Sequence, residues 1–167
     1  MGKECIDGCG ESQYASAIKA AFKSLDYLCI DHYDEFIEHL PCFSQSHDEV
    51  REKTTSECGS ESTMETLIAK QTQAKENGDI MALKNVLSCM CSYIKCTISA
   101  SSEATDEVCE AEAPGEFLKD FAKSSFSALE ELMSDNGLGF MWPSECSDVA
   151  AGDFEGDSSS LSCVSEL

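Results

Sequence analysis

Eleven cysteines in a chain of 167 residues restrict the possible folds more than any other feature. None falls in a CxxC pair of the kind that marks a zinc knuckle or a thioredoxin-type redox site. Most lie inside stretches with helical periodicity, so the chain reads as a disulfide-stapled helical protein of an oxidising compartment. Cys5, Cys9, Cys29, Cys42, Cys58, Cys89, Cys91, Cys96, Cys109 and Cys146 are the candidates for pairing. Cys163 lies in an acidic, Ser-rich stretch with almost nothing apolar to dock it, and is expected to be the unpaired, exposed thiol.

The apolar residues Tyr14, Ile18, Phe22, Leu25, Cys29, Tyr33, Phe36, Ile37 and Leu40 follow a three-and-four spacing. That spacing predicts one long amphipathic helix with this stripe on the core, bent near Ile30-Asp31. Pro41 is expected to stop it, because the residue before a proline is pushed out of the helical region. Ser46-His47-Asp48-Glu49 reads as a capping box opening a polar helix that ends near Cys58. Val50 is the one large apolar residue of that helix. A Cys42 to Cys58 bridge is expected to hold it, for about 3 kcal/mol on the chain-entropy view.

A second capping box, Ser62-Thr63-Met64-Glu65, starts a helix that Asn77-Gly78 ends with a left-handed cap. From Asp79 the next segment carries Ile80, Leu83, Leu87, Met90, Cys91, Ile94 and Ile98 on one stripe and Val86, Cys89, Tyr93 and Cys96 on another. A helix apolar on two sides is buried between layers. Residues two apart point about 200° from each other, so Cys89 and Cys91 should fasten different neighbours. Ser101-Ser102 reads as its end, and a short segment around Val108-Cys109 leads to Pro114-Gly115, the start of a last helix closed by Asp135-Asn136-Gly137. The fold class is therefore all-α: a disulfide-stapled bundle of about five helices over residues 1–146, followed by an acidic Ser-rich disordered tail, 147–167, too polar to pack.

A net charge of −21 excludes broad classes of partner. Residues 1–146 hold 27 of the 32 acids and all 11 bases, a balance of −16, so the folded part itself is acidic. Such a surface gains nothing from a nucleic-acid backbone or an anionic leaflet. No apolar run reaches the roughly 20 residues a membrane span needs. The N-terminus lacks the charged-then-apolar layout of a secretory signal, so a secreted chain is read here with its signal removed.

Catalytic and metal motifs are not evident. His32 and His39 share a helix face with Glu35 and Glu38, which is the minimum for a surface metal site and equally an ordinary ion-pair pattern. Cys29 beside His32 lies among acids, the wrong setting for a thiolate nucleophile. Cys89, Cys91 and Cys96 are spread around one helix and cannot converge on an ion. No catalytic residue, metal ligand or cofactor is assigned, and the chain is read as a non-enzyme. Met64, Met81, Met90, Met133 and Met141, with the Phe-rich last helix, would suit either a plain core or a cavity for a lipid or other apolar ligand.

The block Leu28-Cys29-Ile30-Asp31-His32-Tyr33-Asp34-Glu35-Phe36, then Leu40-Pro41-Cys42-Phe43, Cys89-Met90-Cys91-Ser92-Tyr93-Ile94-Lys95-Cys96, Cys109 and Trp142-Pro143-Ser144-Glu145-Cys146 resembles the secreted cysteine-rich helical domains of nematodes. The families in question are the chondroitin proteoglycan 4 family and the related domain of unknown function nineteen. The resemblance covers about residues 5–146 and implies an extracellular, non-enzymatic helical module that binds a protein partner or associates with matrix. It carries over no catalytic residue. The chain lacks the Ser-Gly dipeptides that bear glycosaminoglycan, which sets it apart from a proteoglycan.

Overall fold

The structure, a computed structural model, describes residues 13–109, 114–155 and 163. Cys5 and Cys9, and most of the expected tail, lie outside the described residues. Among the described residues there are seven α-helices and no strand: α1 (Gln13–Asp26), α2 (Tyr33–Gln45), α3 (His47–Cys58), α4 (Glu61–Asn77), α5 (Ile80–Val108), α6 (Pro114–Asp135) and α7 (Ser144–Ala151). A π-helical turn, Tyr27–Asp31, joins α1 to α2, and a 3-10 turn, Gly139–Met141, precedes α7. The all-α expectation holds. The count exceeds five because the first helix is broken in two and a short helix is added at the end.

The break falls where the sequence placed the bend. The π turn ends at His32, whose φ of −127° and ψ of 29° leave the helical region, so α2 sets off in a new direction. Pro41, expected to stop the helix, lies inside α2. It removes the donor that would reach the Ile37 carbonyl, but both residues are on the solvent side, where water takes the donor's place. Ser46 is not a cap. With φ of −81° and ψ of 0°, it carries helical hydrogen bonds through the joint, its N–H to Cys42 O at 2.9 Å and its carbonyl to Val50 N–H at 2.8 Å.

That near-continuity rules out the Cys42 to Cys58 bridge. Sixteen helical residues span about 24 Å, whereas bridged Cα atoms lie within about 7 Å. The observed pairs are Cys42–Cys109, Cys58–Cys96 and Cys91–Cys146, with Cα separations of 5.8, 5.7 and 5.0 Å.

All three converge on α5, the longest helix at 29 residues. Asp79 caps its start by accepting from Ala82 N–H at 2.9 Å. It runs unbroken through Ser101-Ser102 because Ala100, Ser102, Ala104 and Thr105 are small and buried, letting α6 come close. Gly115 at the start of α6 marks the tightest approach: a Cβ there would lie 2.6 Å from the Ser102 carbonyl oxygen. The Gly115 N–H donates to Asp106 Oδ1 at 2.8 Å. One apolar cluster, Leu67, Val86 and Cys89, joins α4 to α5, with Met90 and Tyr93 against it. A second, Ala122, Val149 and Phe154, joins α6 to α7, with Ile98 and Phe126 against it. Lys95 adds an ionic tie from α5 to Asp148 and Asp153 at 3.4 and 3.5 Å.

Val149 and Phe154 correct the expected boundary at residue 146, which falls inside α7. The fold continues through Phe154, whose ring is 6% exposed in the second cluster. Val149, Ala150 and Phe154 bury enough surface to hold eight more residues in place.

Candidate functional site

Helix α2 has three faces of different chemistry. Phe36, His39 and Phe43 point inward onto Phe117 of α6, with ring centroids 6.2, 5.6 and 6.1 Å away. Tyr27 and His32, stacked on each other at 4.1 Å, extend this group at 5.9 and 6.5 Å from the same ring. Phe117 is 3% exposed, so five side chains from one segment bury a single anchor. Burial and the nearby carboxylates of Asp120 and Glu35 push the Tyr27 phenol up to about 12, and the ring stays neutral through the physiological range.

Asp34, Glu35 and Glu38 form the second face, which is exposed. Glu35 accepts from, or pairs with, His32 Nδ1 at 2.8 Å. The third face carries Tyr33, Ile37 and Leu40, which are 52%, 44% and 46% exposed, with Ile30 of the π turn at 66% beside them. Tyr33, Ile37 and Leu40 were expected on the core stripe. They cannot all reach it: positions 36, 39 and 43 already occupy the side that meets Phe117, and 33, 37 and 40 lie about 90° around the helix from them. The apolar surplus of this segment, more than one face of a helix can bury in one core, was the sequence signal for two apolar faces. Ile18, Leu25 and Cys29, also expected inside, are exposed as well.

His32 and His39 do not converge. His32 faces Glu35, whereas His39 is 5% exposed among aromatic rings, and its Nδ1 has no hydrogen-bond partner. Among the described residues no group of three His, Cys, Asp or Glu side chains is placed to hold a metal ion. The methionines are dispersed: Met141 is buried, Met90 packs on the Leu67 cluster and Met81 is 68% exposed. A depression of about 240 Å³ between α2, α3, α5 and α6 is lined by Phe43, Val50, Leu118 and Thr105. Two others, of about 130 and 170 Å³, are lined largely by polar residues and by no methionine. All three are below the roughly 300–1,000 Å³ of a typical small-molecule site.

Cys29, Cys89 and Cys163 carry free thiols. Cys29 and Cys89 were expected to pair, and Cys163 to be exposed. Instead Cys163 is half-buried and packs against the cluster of Leu67, Val86 and Cys89. Cys29 lies on the solvent side of the π turn, which turns it away from the core. No helix among the described residues is long and apolar enough to cross a membrane. No family model, curated protein or solved structure matches the chain.

Proposed function

We propose that this chain is a secreted, non-enzymatic interaction protein, of extracellular fluid or matrix, that docks a basic amphipathic segment of a protein partner along the outer face of α2. The observation that carries this reading is the exposed row Ile30, Tyr33, Ile37 and Leu40 running beside Asp34, Glu35 and Glu38. A helix apolar on two sides loses free energy in water through the uncovered one, about 25 cal/mol for each Å² left wet. Covering it with a segment that carries lysine or arginine along one edge adds complementary charge. A second copy of this chain is the poorer occupant, because two molecules of net charge −21 repel. The three disulfides support an oxidising, extracellular setting. The resemblance to nematode secreted domains supports the same reading.

The test uses a synthetic amphipathic helix of alternating Leu and Lys faces as probe, measured by calorimetry against the full chain. Binding is expected to weaken with salt and to fall at least tenfold in Ile37→Glu. That substitution adds a negative charge, so a merely electrostatic association would tighten instead, and such a result would overturn docking through the apolar row. Unchanged affinity in Ile37→Glu, or a sedimentation profile showing self-association through this face, would overturn it too. Binding of a fatty acid with loss of the 240 Å³ depression's accessibility, and no binding of the probe, would favour carriage of an apolar ligand.

A further inference from the structure

Cys89 and Cys163 are 74 residues apart in sequence and in contact in the fold. Cys89 is 4% exposed on the inner side of α5, between Leu67 and Val86. Cys163 reaches it from the C-terminal segment, sitting half-buried on the same cluster. Cys163 sits in a stretch rich in serine and acid, with Leu161 and Val164 as its nearest apolar neighbours in sequence.

We propose that Cys89 and Cys163 are a modification site, at which a further disulfide forms and fastens the C-terminal segment to the α4–α5 layer. The two thiols hydrogen-bond each other, and burial together with that bond pushes Cys89 up to about 12. Cys89 is thus a poor first nucleophile, and the half-exposed Cys163 is the group that meets an oxidant. The oxidant is a low-molecular-weight disulfide such as oxidised glutathione. The Cys163 thiolate attacks one of its sulfurs, forming a mixed disulfide and releasing one glutathione thiolate. Cys89 then gives up its proton to solvent, and its sulfur displaces the second glutathione from Cys163. Two protein thiols lose two electrons and two protons, and one glutathione disulfide becomes two glutathione thiols. The second step is the slow one, because Cys89 must ionise inside the cluster.

The new bond would close a small ring. Cys91–Cys146 already joins the two stretches, so the ring runs through residues 89–91 and 146–163, about 20 residues in all. The expected gain is a melting temperature higher by roughly 8 °C than that of the same protein with these two thiols free.

The experiment incubates the full chain with oxidised glutathione at mildly alkaline pH and maps its disulfides by mass spectrometry without reduction. A Cys89–Cys163 linked peptide, loss of two titratable thiols and the rise in melting temperature are expected. Cys163→Ser should abolish both changes and leave Cys89 unreactive to alkylation in the folded chain. Cys163 recovered as a stable glutathione adduct, bridged to Cys29 or joined to a second chain, with Cys89 still free, overturns the proposal. Cys89→Ser supplies the second arm: it should trap Cys163 at the mixed-disulfide stage, and absence of that adduct overturns the order of steps.

Discussion

Helices α2 and α3 meet at Ser46 and carry opposite amounts of apolar surface. α2 has two apolar faces and one anchor for them, so Phe36, His39 and Phe43 close on Phe117 while Tyr33, Ile37 and Leu40 remain wet. α3 contributes Val50 and little else, yet it lies along α5 as firmly as any helix. Polar and covalent ties hold it: Cys58–Cys96 at its C-terminal end, Cys42–Cys109 just before its start, and Lys53 bridging to Glu103 and Glu107 at 3.1 and 3.0 Å. Hydrogen bonds that the Lys53 ammonium donates to the Glu107 and Glu103 carboxylates raise it above its ordinary range, which keeps it charged. One helix is thus placed by burial and left with surface to spare, and its neighbour is placed by staples. Cross-links let the chain hold α3 in place without burying the apolar surplus of α2.

The comparison breaks most sharply at Phe117. Phe117→Ala removes the common anchor of five aromatic side chains and should cost about 4 kcal/mol, seen as a lower urea midpoint and faster amide exchange in α2 while α3 stays protected. Next comes Cys58→Ser, which should cost about 3 kcal/mol. Here the expected pattern is the reverse, with α3 amides exchanging fast and α2 little changed; equal loss in both helices would show that they are held as one unit. The smallest effect belongs to Lys53→Ala. Two ion pairs at a mostly exposed pair of carboxylates should contribute no more than about 1 kcal/mol, and a larger drop in melting temperature would mean that ionic ties rather than the disulfides position α3.

Much of the frame was legible in the sequence because local chemistry decided it. Asp79, Gly78 with its φ of 66°, and Pro114 each set a helix end through a single residue's geometry, and the structure keeps them. Ser46 and Pro41 misled for the complementary reason: a serine caps and a proline stops only if the chain does not gain more by continuing, and here Cys42 and Phe43 bury only if the helix goes on. The second face of α2 was hidden by treating every apolar residue of one periodic row as core, when the row was too wide for one. Disulfide pairing is a property of distance, and distance depended on the helix directions. The docking of Cys163, expected to be exposed, was not legible because the cluster it meets, with Cys89, lies far from it in sequence.

The three disulfides overlap in sequence, and their spans, 42–109, 58–96 and 91–146, leave no gap between the first and the last cysteine. Every peptide bond from Cys42 to Cys146 is therefore bridged by at least one covalent detour. A protease that nicks any exposed turn in that range, at Gly59, Gly78 or Gly137, severs the backbone without releasing a fragment. The cut ends stay linked through the disulfides, and the nicked molecule runs as one species until it is reduced. Damage tolerance of this kind needs only the order of the pairs, not the strength of any single contact.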